Sequence, residues 1–423
     1  MKLSQRDKQM LQGDFGEVLQ IAMQKTIEYA KVLGAEELID VDKSTSCYDE
    51  MSGFLDVGKD LDSKYSLGYL GKELQFDSLV AEECFCQDDA CTIDGESWEI
   101  CNQSKEFYDY VKSFLDRAVD LGVVRMGSCT PYLTGWVPLQ GEVFVTTESS
   151  NILMCNSVFG ARGNCGGQAT TFLATLTGRT PLWGYHLYEN RAGTHLVKIQ
   201  CRTETRQDWD LLGYVLGEQL EPGDVPVLVD GFKKPDIILL KSFFASLATT
   251  SSAELCLIVG ISPEARDMDD AFHGQKPKGE ILITQEMVDD AKRRLCHPEE
   301  GSVDFVQIGC PHCSVQELKD LADYMKDKRV KEGVKFTINT SFPILKTAEV
   351  NGYAQILRDA GAYITTCGCI NVHEGISDGA CAIALSSSKL AHYQKSEQTV
   401  PVYYGTDEEL MDAAVCGYWR ETT

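Results

Sequence analysis

From His195 onward the chain alternates short aliphatic and β-branched runs with segments of helical period, and this alternation restricts the fold more than any other feature of the sequence. His195 to Gln200 reads as a strand, 207–219 as a helix, Val225 to Val229 as a strand, 236–248 as a helix, and Leu255 to Val259 as a strand. Ile281 to Thr284 follows as another strand, with a helix running to about Leu295. The clearest unit is the strand Val303 to Ile308, the turn Gly309-Cys310-Pro311-His312-Cys313, and a helix opened by the capping box Ser314-x-x-Glu317. A strand near Lys335 to Ile338, a helix over about 346–359 stopped by Gly361, and a strand Ala362 to Thr365 lead into Cys367-Gly368-Cys369. Strands alternating with helices imply a layered α/β fold with mostly parallel sheets, because parallel neighbours need a crossover connection.

In such folds ligands gather beyond the carboxyl ends of strands. Cys310 and Cys367 stand just past such ends, and so does Cys129 after a predicted strand Val123 to Met126. Three thiols far apart in sequence can therefore converge. Upstream, Ser4-x-x-Asp7 reads as a capping pair, and a helix with Val18, Leu19, Ala22, Met23, Ile27 and Ala30 on one face ends at Gly34. Residues 40–105 carry no sustained period. Their Cys84, Cys86, Cys91 and Cys101, set among acidic residues, suit either a second metal site or, the preferred reading, a solvated loop with incidental thiols. A helix over 106–121 is closed by Gly122.

The densest polar chemistry lies between Gly127 and Arg191. Asn156, Ser157, Arg162 and Asn164 share one loop with small residues, and Arg179, His186, Glu189, Asn190 and Arg191 follow. Arginine offers a fixed fork for carboxylate or phosphate, so the stretch reads as an anion-binding wall carrying the Cys129 thiolate. A helix from about Gln168 to Leu176 would add its amino-terminal dipole. A net charge of −25 disfavours nucleic acid and anionic membrane as partners and requires such a local basic pocket for any anionic substrate. No apolar run reaches membrane length and the amino terminus is no signal peptide, so the expected compartment is the cytoplasm. Seventeen cysteines in such a chain are packing thiols or metal ligands. Cys155, Cys256 and Cys381, and with them Cys296, read as core. His312 and His186 are candidate acid/base groups. Ser388 and Lys389 open a helix and read either as a cap or as an anion site.

The run from Cys129-Thr130-Pro131-Tyr132 through Asn156-Ser157-x-x-Gly160-Ala161-Arg162 to Glu189-Asn190-Arg191 resembles the aconitase X family. So do Met10-Leu11-x-Gly13-x-x-Gly16, Val259-Gly260-Ile261-Ser262-Pro263-Glu264-Ala265, Gly309-Cys310-Pro311-His312, Thr366-Cys367 and Ser388-Lys389-Leu390-Ala391-His392-Tyr393. The resemblance covers most of the chain. It implies aconitase-like α/β lobes around a central cleft. The chain divides approximately into a helical and irregular region over 1–122, an α/β lobe with the anion-binding loops over 123–300, and an α/β lobe with Cys310 and Cys367 over 301–423. It also implies an iron–sulfur hydro-lyase for a small hydroxy acid, either cis-3-hydroxy-L-proline, the preferred substrate, or mevalonate 5-phosphate. Cys129, Cys310 and Cys367 would hold the cluster. Asn156, Ser157, Arg162, Asn164, Arg179, Glu189, Asn190, Arg191, Ser388 and Lys389 would bind the substrate carboxylate or phosphate. The family's swivelling domain is expected on a separate small subunit, which makes this chain the large subunit of a heterodimer. Ser44, Thr45 and Ser46 depart from the pattern, standing where a His-bearing loop is expected. Two other readings use the same thiols. Cys310-x-x-Cys313 with Cys367-x-Cys369 has zinc spacing and would suit a non-catalytic assembly protein, and Cys-Pro-His-Cys at a helix start suits thiol–disulfide exchange.

Overall fold

A computed structural model describes residues 1–46, 76–90, 98–366, 368, 370–371, 376–397 and 399–420. Cys91, Cys367 and Cys369 lie outside the described residues, so the expectations placed on them are not addressed by the geometry below.

The chain begins with α1 (Gln5–Gln12), whose capping box Ser4/Asp7 forms as expected, and α2 (Glu17–Val32). Strand β1 (Leu38–Asp40) leads to β2 (Lys43–Ser46) and β3 (Phe85–Asp88), then α3 (Lys105–Asp120), β4 (Phe144–Thr146), α4 (Ser149–Met154), α5 (Gln168–Thr177) and β5 (Arg179–Pro181). The order β3-β2-β4 is parallel throughout, while β1 pairs antiparallel with β5. The Lys-Ser-Thr-Ser sequence of β2 has turn composition, yet Ser44, Thr45 and Ser46 are buried. Hydroxyl pairing offsets part of that burial: Thr45 and Thr146 share a 2.7 Å hydrogen bond across the sheet, and the Ser44 hydroxyl accepts from the Cys84 thiol at 3.4 Å. The predicted strand Val123 to Met126 shrinks to one bridge between Val124 and Gln87. Its physical reason is that the Asp88 carboxylate takes the Met126 and Gly127 N–H groups, which a ladder would otherwise use.

The middle of the chain follows the predicted alternation: β6 (His195–Gln200), α6 (Arg206–Gly217), β7 (Pro226–Leu228), α7 (Ile237–Thr250), β8 (Leu257–Ile258), α8 (Met268–Ala271), β9 (Gly279–Thr284) and α9 (Gln285–Leu295). The sheet order is β8-β7-β6-β9, all parallel. Helices α6 and α7 touch at backbone distance, because a Cβ on Gly213 or Gly217 would strike the Phe243 carbonyl or the Thr250 hydroxyl. Trp209 and Phe243 meet edge-to-face at 5.5 Å within that interface, a geometry worth about 1 kcal/mol beyond area burial.

The last part holds β10 (Gly301–Ser302), β11 (Phe305–Ile308), α10 (Val315–Met325), β12 (Lys335–Thr340), α11 (Phe342–Val350), α12 (Tyr353–Asp359), β13 (Tyr363–Thr366), β14 (Ile383–Leu385), α13 (Ser388–Glu397), β15 (Val402–Tyr404), α14 (Asp407–Cys416) and β16 (Tyr418–Trp419). The parallel order β13-β12-β11-β14-β15 puts β11 at the centre and lines up the carboxyl ends that precede Gly309, Ser341 and Cys367. The single helix expected over 346–359 splits, since Gly352 at φ 81° breaks the period between α11 and α12. Among the described residues no helix is long and apolar enough to cross a membrane.

Candidate active site

Gly309 turns the chain at the end of β11 with φ 106°, lying so close to the Asn339 carbonyl that no side chain fits. Cys310 follows at half-buried depth. The capping box Ser314/Glu317 then starts α10, as the sequence requires. Two buried amides steady the neighbouring strand ends. Gln307 donates to the Asn339 side chain at 2.6 Å and accepts from the Ile370 N–H at 3.2 Å, and Asn339 donates to the Gly368 carbonyl. The sequence neighbours of Cys367 and Cys369 are thus tied to β11 and β12.

Cys129 reaches the same place from the amino-terminal sheet. Asp88 anchors Met126 and Gly127, Ser128 accepts the Thr130 N–H at 3.1 Å, and the Cys129 Sγ accepts the His312 N–H at 3.4 Å. Burial pushes the Cys129 thiol well above its ordinary value, and Glu148 and Cys310 add to the effect. Burial lifts Cys310 as well, but the Lys389 ammonium and the Ser387 hydroxyl work against it. Lys389 is paired with Glu148 at 3.3 Å. Burial opposes its charge, yet Glu148 and the two thiols more than compensate and raise its pKa.

The segment Ser386 to Ser388 is mounted from α6. Arg206 donates to the Ser386 carbonyl at 3.0 Å while paired with Asp407 at 2.7 Å. Asp210 accepts from the Ser388 N–H at 2.8 Å and from the Tyr404 hydroxyl at 2.7 Å. Burial lifts Asp210 to about 6, against the pull of Arg206, Tyr404 and Ser388. Two thiols, an ammonium–carboxylate pair and the amino terminus of α13 therefore stand together at one place.

The residues expected to form the anion wall behave differently. Asn156 donates to the Gly163 and Glu254 carbonyls at 2.9 and 2.8 Å, and Ser157 accepts the Cys256 N–H at 3.0 Å. Arg191, fully buried, pairs with Glu264 at 2.7 Å and donates to the Asn156 and Tyr185 carbonyls. Arg179 spends its fork on Asp7, Asp40 and the Leu38 carbonyl, tying α1 to β5. For these two arginines the ligand-facing role gives way to internal ion pairs. Asn164 donates to the Trp183 carbonyl at 3.0 Å and accepts from the Tyr185 N–H. Arg162 donates to the His186 carbonyl at 3.1 Å. The His186 ring is buried, its Nδ1 2.9 Å from the Pro181 carbonyl, and burial above all drives its pKa from 6.5 to about 4. Glu189 is exposed, and Asn190 donates to the Gly184 carbonyl.

Cys310 and Cys313 do not face one way. Cys313 is buried against Leu318 and Ile338, while Cys310 borders a different core that contains Leu385 and Leu390, which disfavours a zinc site spanning both. Cys84, Cys86 and Cys101 pack into three separate cores, so the solvated loop expected there is corrected to buried thiols. Cys381, expected in the core, is exposed, since its backbone is held at the surface by Asp304. Among the described residues no group of three or more His, Cys, Asp or Glu side chains is arranged to hold a metal ion. Sequence reading missed Glu148, Asp88, Asp210 and Lys241. The signal available for Lys241 was a lone charge inside an apolar helix, Leu-Leu-Lys-Ser-Phe-Phe, and for Asp210 a carboxylate set directly against an apolar run, Trp-Asp-Leu-Leu.

Comparison with known proteins follows the same lines. The descriptions "Aconitase X first domain", "second domain" and "third domain" match residues 1–189, 193–293 and 303–416. A cis-3-hydroxy-L-proline dehydratase of Pseudomonas aeruginosa is 30% identical over 98% of this chain and 70% of its own length. A phosphomevalonate dehydratase large subunit of Methanothermobacter thermautotrophicus is 27% identical over 92% of this chain and 93% of its own. Both relatives are dehydratases, and therefore hydro-lyases. The crystal structure of Thermococcus kodakaraensis aconitase X in its holo-form superposes with a TM-score of 0.81 at 25% identity, covering 98% of this chain and all of that one. With matches running from end to end, the chain belongs to the aconitase X family.

Proposed function

We propose that this chain carries the iron–sulfur site of a hydro-lyase that removes water from a small hydroxy acid, cis-3-hydroxy-L-proline, with Cys129, Cys310 and Cys367 as ligands. The observation that carries the reading is the meeting of Cys129 and Cys310 beside the Lys389–Glu148 pair, from segments 181 residues apart in sequence. The donor set fits the group. The two thiols are only partly buried, and a bound metal would take them as thiolates, reversing the effect of burial. A cluster with one open iron supplies a Lewis acid for the leaving hydroxyl.

The chain's own groups supply the rest. Lys389 offers its ammonium to the substrate carboxylate, and Glu148 keeps that ammonium charged and aimed. Ser387 stands beside the Cys310 thiol, and Ser388 opens the helix that carries Lys389. His312, on the Cys310 turn, is the better placed of the two histidines to carry a proton, since His186 is neutral and locked between carbonyl and amide partners. Arg162, with no carboxylate partner among the described residues, remains available for an anion.

Mevalonate 5-phosphate is the second substrate reading, favoured by relatives of that name aligned over nearly their whole length. Those relatives are named large subunits, which supports a small partner subunit that completes the cleft. Purified chain, reconstituted anaerobically with iron and sulfide, would be mixed with each substrate, with and without a small subunit, and product followed by loss of water in the mass spectrum. Turnover of the hydroxyproline and not of the phosphate is expected. Turnover of neither, with the small subunit present, removes both assignments.

A further inference from the structure

Helix α7 reads Ile-Ile-Leu-Leu-Lys-Ser-Phe-Phe-Ala-Ser-Leu-Ala-Thr-Thr, and its one charged residue, Lys241, is 1% exposed. An ammonium has three N–H donors, and here they face four oxygens. Glu317 accepts at 2.7 and 2.9 Å, the His312 carbonyl at 2.8 Å and the Pro311 carbonyl at 3.3 Å. The same Glu317 also accepts the Ser314 N–H at 2.8 Å in the capping box. One buried cation thus joins α7, the first turn of α10 and the turn that carries Cys310.

Stability alone does not account for it. A buried ion pair is usually no better than apolar residues of the same volume, because desolvation cancels the attraction. What an apolar pair cannot do is orient peptide groups. With the Pro311 and His312 carbonyls drawn toward Lys241, the His312 N–H points the other way, toward the Cys129 sulfur at 3.4 Å. Behind it the Cys313 N–H is fixed on the Asn339 carbonyl at 2.9 Å. We propose that Lys241 is a positioning residue for the thiol site: by holding two carbonyls of the Cys310–His312 turn from beneath, it sets where the Cys310 thiol stands and keeps the His312 amide aimed at Cys129. The inference rests on the proposed cluster for its purpose, but not for its geometry.

Lys241→Met leaves Glu317 buried without its cation and can fail to fold, so the decisive variant is Lys241→Met with Glu317→Gln, which removes both charges. Near-ultraviolet circular dichroism establishes that it is folded. In metal-free protein, iodoacetamide labelling of Cys310 read by peptide mass should accelerate about tenfold or more, on the scale of losing a hydrogen bond to a charged donor, while labelling of Cys155 stays unchanged. In reconstituted protein, iron should leave faster by a similar factor under chelator challenge. A folded double variant with Cys310 labelling within twofold of wild type overturns the proposal. Wild-type protein that holds no iron removes the cluster reading instead, and the labelling result still decides the role of Lys241.

Discussion

Two polar regions of this chain look alike in sequence and differ in structure. The stretch from Asn156 to Arg191 is rich in amides and guanidinium groups, and most of their donors are consumed within it or by Asp7, Asp40 and Glu264. The cleft around Cys310 draws single groups from distant segments, and its Lys389–Glu148 pair stays about one-fifth exposed beside two half-open thiols. Polar density therefore marks scaffold where the groups satisfy one another, and a candidate site where charges converge from separate strand ends. The first region is expected to answer to stability and the second to activity.

The largest effect should come from breaking the closed region at its centre. Arg191→Met leaves Glu264 and the Asn156 and Tyr185 carbonyls without their partner, and about 3–5 kcal/mol of stability should be lost in urea denaturation. A loss below about 1 kcal/mol would mean that this guanidinium is free for a ligand.

Acid should find the same region next. His186 is held at about 4 in the folded chain and returns to 6.5 on unfolding, so the unfolded state binds the proton first. Its contribution is whole above pH 6.5 and is lost as pH falls toward 4, by about 3 kcal/mol in all. His186→Gln should flatten that part of the stability–pH curve.

Lys389→Met probes the open cleft. Activity should fall about a hundredfold, about 2.7 kcal/mol of transition-state binding, while the melting temperature moves by only a few degrees because Glu148 keeps solvent contact. Equal losses of activity and stability would erase the distinction between the regions. The smallest effect belongs to Cys155→Ala, a core thiol hydrogen-bonded to Asn151, at about 1 kcal/mol and with iron content unchanged.

Much of this is legible in the sequence. The β6–α6–β7–α7 alternation, the capping boxes at Ser4 and Ser314 and the strand-end placement of Cys310 follow from local patterns, and local patterns are what sequence records. The buried strand Lys43–Ser46 is not, because the Thr45 hydroxyl at its middle is satisfied by a partner a hundred residues away, Thr146. Nor is the fate of Arg179, whose carboxylates sit on α1 and β1. Glu148 carried no motif, and only its approach to Lys389 gives it meaning. Pairings of high sequence separation decide which polar residue is structure and which is site.

The most direct measurement is iron per chain, with the visible spectrum, in anaerobically reconstituted wild type, Cys310→Ser and Cys155→Ala. Wild type and Cys155→Ala should carry the same iron and the same absorption, and Cys310→Ser should carry little of either. Full iron occupancy in Cys310→Ser would contradict the assignment of the cleft between Cys129 and Lys389 as the cluster site.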